Sequence, residues 1–224
     1  MIQSDSTSQG NKAIKKDFRI KRTGPLDAYI YQNRDNNEDM KQIDNVFIHL
    51  PEDTKETSQL LCKTHIFTDG ACTNNGRKSA NAAWGLIVVK DVGYEVIYKE
   101  SGAIPKSEIQ TNQRAELKGL LMGLRAAKKF YTLYPGQFTI WSDSQYSINC
   151  ASVWGPKWKS MGWKKQGGPI QHFDLIRDLV EETIAMGHKV QYRWLKGHKG
   201  GESQHQFPWI FNHQVDALAT SALE

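Results

Sequence analysis

Two apolar runs that each end in an aspartate constrain this chain more than any other feature. His65-Ile66-Phe67-Thr68 leads into Asp69, and Phe138-Thr139-Ile140-Trp141-Ser142 leads into Asp143. Runs of this length, rich in β-branched and aromatic residues, predict buried strands. A carboxylate at the end of a buried strand is costly unless it is paired, hydrogen-bonded or bound to a metal ion. The pattern therefore predicts a core sheet whose acidic end residues need a partner.

The remaining periodicity predicts helices on the faces of this sheet. Leu117, Leu120, Leu121 and Leu124 follow helical spacing after a cap at Thr111 or Asn112. Further strands are predicted at 82–90, 94–99 and 189–195, and further helices at 144–150, 173–185 and 212–223. The first three strands should form an antiparallel meander. The order of elements indicates an α/β fold with a mixed sheet.

Three regions are expected along the chain. Residues 1–16 are low in apolar side chains and predict a disordered tail. Residues 17–63 form an N-terminal extension of unknown role, with candidate strands at 28–31 and 46–50. An arm packed on the main domain and a loosely ordered extension are both open readings of this region. Residues 64–224 form the main domain.

The charge of the chain lies in the main domain. Residues 1–64 hold ten basic and ten acidic side chains, so the net charge of +5 belongs to 65–224. A basic domain attracts polyanions, although a merely soluble basic surface explains the same value. The basic run at 15–22 is interpreted as a solvated charge run, with weak nucleic-acid contact as the alternative.

Cysteine content and hydropathy indicate the cellular compartment of the protein. The three cysteines, Cys62, Cys72 and Cys150, lack the close spacing of a disulfide framework or a zinc site. No apolar run approaches the roughly 20 residues that a membrane span needs, and the first thirty residues contain no apolar stretch typical of a secretory signal. We therefore expect an intracellular protein, cytoplasmic or nuclear, that does not bind membranes.

Four carboxylates stand where an acid needs a partner. Besides Asp69 and Asp143, Glu116 lies in the first turns of a predicted helix and Asp216 beside the apolar face of another. Each alone has an ordinary explanation as a turn residue, a cap or a complement to the helix dipole. A cluster of carboxylates, however, prefers hard cations with oxygen ligands, which means Mg²⁺ or Mn²⁺ rather than Zn²⁺.

Five motifs in order resemble those of the type 1 ribonuclease H family. They are Phe67-Thr68-Asp69-Gly70-Ala71-Cys72 with Asn75-Gly76, Thr111-Asn112-Gln113-Arg114-Ala115-Glu116-Leu117, Trp141-Ser142-Asp143-Ser144, Trp194-Leu195-Lys196-Gly197-His198, and 212–219. The resemblance spans about 65–224 and is far more specific than any lone match. It implies the ribonuclease H-like fold, in which a five-stranded mixed sheet, three antiparallel strands and then parallel ones, is flanked by helices.

The resemblance implies a metal-dependent endonuclease that hydrolyses the RNA strand of RNA–DNA hybrids. Asp69 would bridge two Mg²⁺ ions, helped by Glu116, Asp143 and Asp216, and Mn²⁺ is the alternative ion. The products would carry a 5′-phosphate and a 3′-hydroxyl. His198 would shuttle a proton or help product release, although a solvent-facing loop histidine is the plain reading. A monomer is expected.

Several residues would contact the hybrid by the same resemblance. Asn75, Asn112 and Gln113 would read the 2′-hydroxyl groups that distinguish RNA from DNA. Tyr146 and Trp154 would line a channel for the DNA strand, with packing alone as the alternative. The basic segment 154–165 looks like the protrusion of many type 1 enzymes, and its lysines would neutralise phosphates. These lysines are Lys157, Lys159, Lys164 and Lys165.

Two departures from the family pattern stand out. Some relatives grip a DNA phosphate with an arginine ahead of the second motif, where this chain has Ile109, although Thr111 is retained. Asp216 also follows His198 by eighteen residues, farther than is usual, through an aromatic insert at 202–211. The insert predicts a longer loop beside the site, in which Phe207, Trp209 and Phe211 pack the loop down or touch substrate.

Two other functions are weighed against this one. A different nuclease on a related fold would share the carboxylates, but not the Asn-Gln-Arg-Ala-Glu motif at 112–116. A hybrid-binding module that has lost catalysis would show decay among the acids, and all four are present.

Overall fold

One mixed sheet runs through the parts of the chain that the computed structural model describes, residues 20–22, 28–31, 46–48, 62–197 and 205–223. Its strand order is β1-β2-β3-β8-β7-β4-β5-β6. The strands are β1 (Ile20–Arg22), β2 (Ala28–Tyr31), β3 (Val46–Ile48), β4 (Cys62–Thr73), β5 (Asn81–Lys90), β6 (Val96–Ala103), β7 (Gly136–Ser142) and β8 (Val190–Trp194).

The five strands β4–β8 have the predicted topology. β4 pairs antiparallel with β5, and β5 pairs antiparallel with β6, which makes the expected meander. On its other side β4 pairs in parallel with β7, which pairs in parallel with β8. The prediction of a five-stranded mixed sheet in an α/β fold is confirmed.

Three short strands extend this sheet beyond β8. The candidate strands at 28–31 and 46–50 correspond to β2 and β3, and β1 was not predicted. β3 joins the main sheet antiparallel to β8, with Val46 opposite Tyr192. The backbone of the N-terminal extension therefore contributes strands to the sheet of the main domain. The predicted tail at 1–16 lies outside the described residues.

Five α-helices accompany the strands of the described ranges. They are α1 (Asn112–Tyr131), α2 (Gln145–Asn149), α3 (Gly155–Ser160), α4 (Phe173–Met186) and α5 (Trp209–Ser221). A π-helical segment, Cys150–Trp154, joins α2 to α3, so that the Trp-rich region begins as a helix that was not predicted. α5 begins three residues before the predicted start at 212. None of these helices is long and apolar enough to cross a membrane.

The sheet separates two cores, because alternate residues of a strand point to opposite faces. Ile66 and Ile140 join Leu120 and Leu124 in the core under α1. Phe67 and Trp141 face the opposite way and join Val215 of α5 in the second core. Both strands that carry the predicted aspartates are thus buried on both faces. Packing on both sides holds these strands, and therefore the two aspartates, in place.

The aromatic insert packs on the second core. The ring centroid of Phe207 lies 4.5 Å from that of Tyr94, 5.7 Å from that of Trp141 and 5.9 Å from that of Phe67. Phe211 is buried within the same core. Of the two predicted roles for the insert, these contacts support packing. The loop is also shorter than predicted, because 209–211 belong to α5.

Candidate active site

Strand register places Asp69 beside Asp143. β4 and β7 are parallel neighbours, and Phe67 pairs with Trp141. Asp69 lies two residues beyond Phe67, and Asp143 lies two residues beyond Trp141. Since the strands run the same way, both carboxylates emerge at the same edge of the sheet. The prediction that the first strand ends at Asp69 is wrong, because β4 continues to Thr73 along β5. Its pairing with β7 ends at Phe67, however, so the two aspartates still form one acidic edge.

Two glycines allow α1 to bring Glu116 to this edge. A Cβ on Gly70 would overlap the backbone of Ala115 and Glu116, and a Cβ on Gly119 would lie 2.7 Å from the carbonyl oxygen of Asp69. Real Cβ atoms essentially never approach other atoms so closely. Only glycine at both positions lets the helix backbone contact β4, and this contact sets the distance between Glu116 and Asp69.

A third glycine brings α5 to the same place. Gly85 of β5 pairs with Asp69 in the antiparallel register. A Cβ on Gly85 would lie 3.0 Å from the amide nitrogen of Ala219 and 3.1 Å from the carbonyl oxygen of Val215. α5 therefore crosses β5 next to Asp69, and Asp216 on this helix lines the same cavity as the other acids.

The acids converge on one open cavity. Asp69, Glu116 and Asp143 each offer a carboxylate oxygen, and these oxygens lie within 4.8 Å of one another. The cavity has a volume of about 320 Å³. Its other lining residues are Gly70, Ala71, Cys72, Thr73, Asn112, Asp216, Thr220 and Leu223. The structure thus brings together all four acids predicted from the sequence.

Burial and mutual repulsion make these carboxyl groups hard to ionise. Asp69 and Glu116 are only 6% and 8% exposed. Burial, followed by the nearby Asp143 carboxylate, raises the pKa of Asp69 to about 8, against a hydrogen bond of 2.8 Å from the Gly70 amide that favours ionisation. Burial and repulsion from Asp69 and Asp143 raise the pKa of Glu116 well above its ordinary value.

The donor set fits a hard divalent cation. The Oε2 atom of Glu116 is buried and has no hydrogen-bond partner among the described residues. All of the converging ligand atoms are carboxylate oxygens, which Mg²⁺ and Mn²⁺ prefer over softer ligands. A bound cation would offset the repulsion and the burial that keep these groups protonated.

The end of β8 fixes Asp143 from the other side. The indole Nε1 of Trp194 donates to the carbonyl oxygen of Asp143 at 2.8 Å, and the Leu195 amide donates to that of Ser142 at 3.1 Å. A Cβ on Gly197 would overlap the Asp143 carboxylate. His198, the next residue, lies outside the described residues, so its predicted role stays a prediction.

Two of the three residues predicted to read RNA, Asn112 and Gln113, lie at the start of α1. Thr111 caps the helix, and its Oγ1 accepts a hydrogen bond of 3.2 Å from the Arg114 amide. The Oδ1 of Asn75 accepts one of 3.3 Å from the Asn112 amide. Asn112 also lines the acidic cavity. Asn112 and Gln113 are exposed beside the acids, and a hydrogen bond from the Asn112 side chain to Glu116 partly opposes the rise in the pKa of that carboxyl group.

A second depression, here called the aromatic groove, is formed by α2, α3 and the segment after them. It has a volume of about 610 Å³. Its lining residues are Tyr146, Trp154, Lys157, Trp158, Met161, Lys165, Gln166, Ile170 and Gln171. The rings of Tyr146 and Trp154 are 6.0 Å apart, and the Lys165 amine lies 5.9 Å from the centre of the Trp158 ring.

The groove collects only part of the predicted basic set. Lys157 and Lys165 line it, whereas Lys159 and Lys164 are exposed but do not. The Lys159 amine lies 3.8 Å from the Glu181 carboxylate on α4 instead. Trp158 is also part of the groove wall. The spacing of the lysines could not reveal this division, because it depends on how α3 and the irregular segment after it are folded.

Arg114 is a structural residue that sequence reasoning passed over. Its guanidinium is buried and donates to both oxygens of Asp174, at 3.0 and 2.5 Å, and through Nε to Glu108 at 2.8 Å. These bonds join α1 to the start of α4 and to the loop before α1. The hydrogen bonds from Arg114 also hold the pKa of Asp174 below its ordinary value. Its place in the motif, one helical turn before the apolar Leu117, was the sequence signal that Arg114 would be buried.

Replacing Arg114 with lysine is expected to lower the free energy of unfolding by about 2 kcal/mol, because an ammonium group cannot make the paired bonds of a guanidinium. Urea unfolding at neutral pH measures this. Arg125→Lys is the matched control, since Arg125 binds Asp178 and Glu182 on the surface and should change stability by less than about 0.5 kcal/mol. Equal effects of the two substitutions would contradict the assignment.

Comparison with known proteins agrees with this geometry. The sequence profile of the RNase H family matches residues 62–224. Ribonuclease H of Pseudomonas fluorescens is 32% identical over 163 residues, covering 72% of this chain and 95% of its own, and that of Cupriavidus necator is 31% identical over 160 residues, covering 71% and 94%. The solved RNase H domain of prototype foamy virus (PFV) superimposes with a TM-score of 0.61 at 24% identity, covering 72% and 94%.

These findings define the chain as a nuclease of the ribonuclease H class. The profile covers well over half of the chain, and the curated relatives exceed 30% identity over nearly their whole length. The chain therefore belongs to the ribonuclease H family, and the predicted family, fold and enzyme class are confirmed.

Proposed function

We propose that this protein hydrolyses the RNA strand of RNA–DNA hybrids with two divalent metal ions, leaving a 5′-phosphate and a 3′-hydroxyl. The observation that carries the proposal is the convergence of Asp69, Glu116 and Asp143, whose oxygens lie within 4.8 Å of one another in a chain of this family. A buried cluster of this kind has no structural advantage without a cation, because its members repel one another.

Asp69, Glu116, Asp143 and Asp216 would hold the ions, with Mg²⁺ as the expected ion and Mn²⁺ as the alternative. When bound, the ions would supply activation of the attacking water and stabilisation of the leaving oxygen. The residues of the chain supply placement. Asp69 and Glu116 are held by the contact of α1 with β4, and Asp143 by Trp194 and Gly197.

His198 completes the proposed centre as a proton carrier. It follows Gly197, whose backbone lies against the Asp143 carboxylate. An imidazole near neutral pH both accepts and donates protons, which suits the departure of the product. This role is carried over from the family motif.

Selection of RNA would rest on Asn75, Asn112 and Gln113. Amide side chains both donate and accept hydrogen bonds, which matches the 2′-hydroxyl group of RNA. Asn112 lines the acidic cavity and is tied to Asn75 through its backbone amide. A ribose held by these residues lies close to the acids. A deoxyribose would leave the amides without this partner.

The aromatic groove would hold the other strand. Tyr146 and Trp154 offer ring faces, and Lys157 and Lys165 offer charge for phosphates. Lys164 and Lys159 would add only long-range attraction, since neither lines the groove. Binding through such lysines weakens as salt rises. The catalytic domain is proposed to span 64–224, with the extension at 17–63 attached through β3.

A panel of matched duplexes tests the proposal. One hybrid is compared with double-stranded RNA, double-stranded DNA and single-stranded RNA of the same sequence, in Mg²⁺ and in chelator. We expect cleavage of the RNA strand of the hybrid alone, lost with chelator and in Asp143→Asn, with 5′-phosphate ends. Cleavage of every duplex would indicate a different nuclease activity, and hybrid binding without cleavage would indicate a recognition module.

A further inference from the structure

One side chain, that of Gln110, organises the loop between β6 and α1. Its Oε1 accepts a hydrogen bond of 2.9 Å from the Ala82 amide of β5. Its Nε2 donates to the carbonyl oxygens of Pro105 at 2.8 Å and Glu108 at 3.1 Å, with that of Ile104 at 3.3 Å. A single amide thereby ties the loop both to itself and to the sheet.

The loop leads directly into the residues proposed to read RNA. Thr111 follows Gln110 and caps α1, and Asn112 and Gln113 form the first turn of that helix. The Asn112 amide contacts Asn75 at 3.3 Å. With so few rotatable bonds between Gln110 and these residues, a shift of its anchor points shifts the side chains that follow.

Apolar packing does not hold the tip of this loop. Ile109, beside Gln110, is 61% exposed. Glu108 is held through Arg114, which anchors the helix as well. The carbonyl oxygens of Pro105 and Glu108 converge on the Gln110 amide group. Ile104, at the start of the loop, is buried in the core. The residues that follow it are held by hydrogen bonds, several of which come from Gln110.

We propose that Gln110 is a positioning residue for substrate: through its amide it places Asn112 and Gln113 against the 2′-hydroxyl groups of the RNA strand. The inference rests on the proposed function of the acidic site. Gln110 does not line the acidic cavity, so its effect falls on hybrid affinity and not on the metal ions. Glu108 also connects the two ends of the described loop, through its amide to Pro105 and its carboxylate to Arg114, but it does not bond to the sheet strand β5 as Gln110 does.

Two substitutions of Gln110 test this role. Gln110→Glu keeps the shape but turns the donor group into an acceptor that faces carbonyl oxygens, and Gln110→Met keeps the length without either group. Thr183→Val is the control, because Thr183 is buried on α4 and bonded to Leu179 and Tyr192, neither of which belongs to the loop, and its loss is expected to lower stability alone. For each protein we would measure KM and kcat for the hybrid, thermal unfolding, and Mn²⁺ affinity.

We expect KM to rise about tenfold in both Gln110 variants, the equivalent of one or two lost hydrogen bonds to the ligand, with kcat and Mn²⁺ affinity within about threefold of wild type. Thr183→Val should melt at a lower temperature with unchanged KM. Unchanged KM in both Gln110 variants, or a parallel loss of Mn²⁺ affinity, would overturn the inference.

A failure of the proposed function can be distinguished from a failure of this inference by measuring binding without cleavage. If the wild type does not cleave, hybrid affinity is measured by fluorescence anisotropy in Ca²⁺. About tenfold weaker binding by both Gln110 variants would then support the positioning role on its own. Equal binding by wild type and variants, or no binding by any of them, would overturn it.

Discussion

Replacing Asp69 with asparagine is expected to lower the rate of hybrid cleavage by about a thousandfold or more at saturating substrate, a typical loss when an electrostatic group at a reacting centre is removed. Asp69 lies where β4, α1 and α5 meet, and its carboxylate belongs to the acidic cluster. Single-turnover cleavage in Mg²⁺ measures the effect. Glu95→Gln, on an exposed turn, is the control and should leave the rate unchanged.

The same substitution should stabilise the protein in chelator. The pKa of Asp69 rises from 3.8 to about 8 in the folded chain, so between these values the folded state holds a proton that the unfolded state has released. Wild-type stability should therefore fall as pH rises through this window. At pH 8 we expect Asp69→Asn to be more stable by on the order of 2 kcal/mol. Urea unfolding at pH 5 and pH 8 tests this, and an identical pH dependence of the two proteins would contradict it.

Replacing Gly119 with alanine is the second substitution with a large expected effect. Inside a helix this change ordinarily stabilises by about 1 kcal/mol. Here the new Cβ would lie 2.7 Å from the carbonyl oxygen of Asp69, so we expect a loss of about 1–3 kcal/mol instead. Displacement of α1 would also move Glu116 away from Asp69, and a shift near 1 Å costs roughly a hundredfold in rate.

Urea unfolding and single-turnover cleavage measure both effects of the Gly119 substitution. Lys118→Ala, at the neighbouring position of α1, is the control and should leave rate and stability close to wild type. A Gly119→Ala protein that is more stable than wild type and fully active would show that contact between α1 and β4 does not position the acids.

The acidic edge could be predicted because it depends on local patterns. Phe67 and Trp141 each precede an aspartate by two residues, and parallel pairing of their strands brings both acids to one edge. The helical spacing of the leucines likewise fixed which side of α1 faces the sheet. Both features depend on short stretches of sequence, so they can be predicted without knowledge of the tertiary structure.

The contacts that bring the helices to this edge were not predicted. Gly85, Gly119 and Gly70 are needed because backbones from distant parts of the chain meet there. Glycine within a helix disfavours helix formation by about 1 kcal/mol relative to alanine, so Gly119 and Gly123 of α1 were a usable signal. Their partners, however, are set by tertiary packing.

The division of the basic segment is a second example. Four lysines at 157–165 looked equivalent in sequence, yet only Lys157 and Lys165 line the aromatic groove. A π-helical segment at 150–154 changes the direction in which the following residues point, and no local pattern announces it. The aromatic insert, by contrast, was predicted from its composition. Phe207 packs on the second core, which was one of the two roles expected of the insert.

A crystal of the Asp143→Asn protein with an RNA–DNA hybrid and Mn²⁺, measured for the anomalous signal of manganese, tests the central claim most directly. We expect manganese beside the carboxylates of Asp69 and Glu116, with an RNA phosphate against it and the 2′-hydroxyl groups facing Asn112 and Gln113. Manganese absent from these carboxylates, or the DNA strand lying across them, would contradict the account.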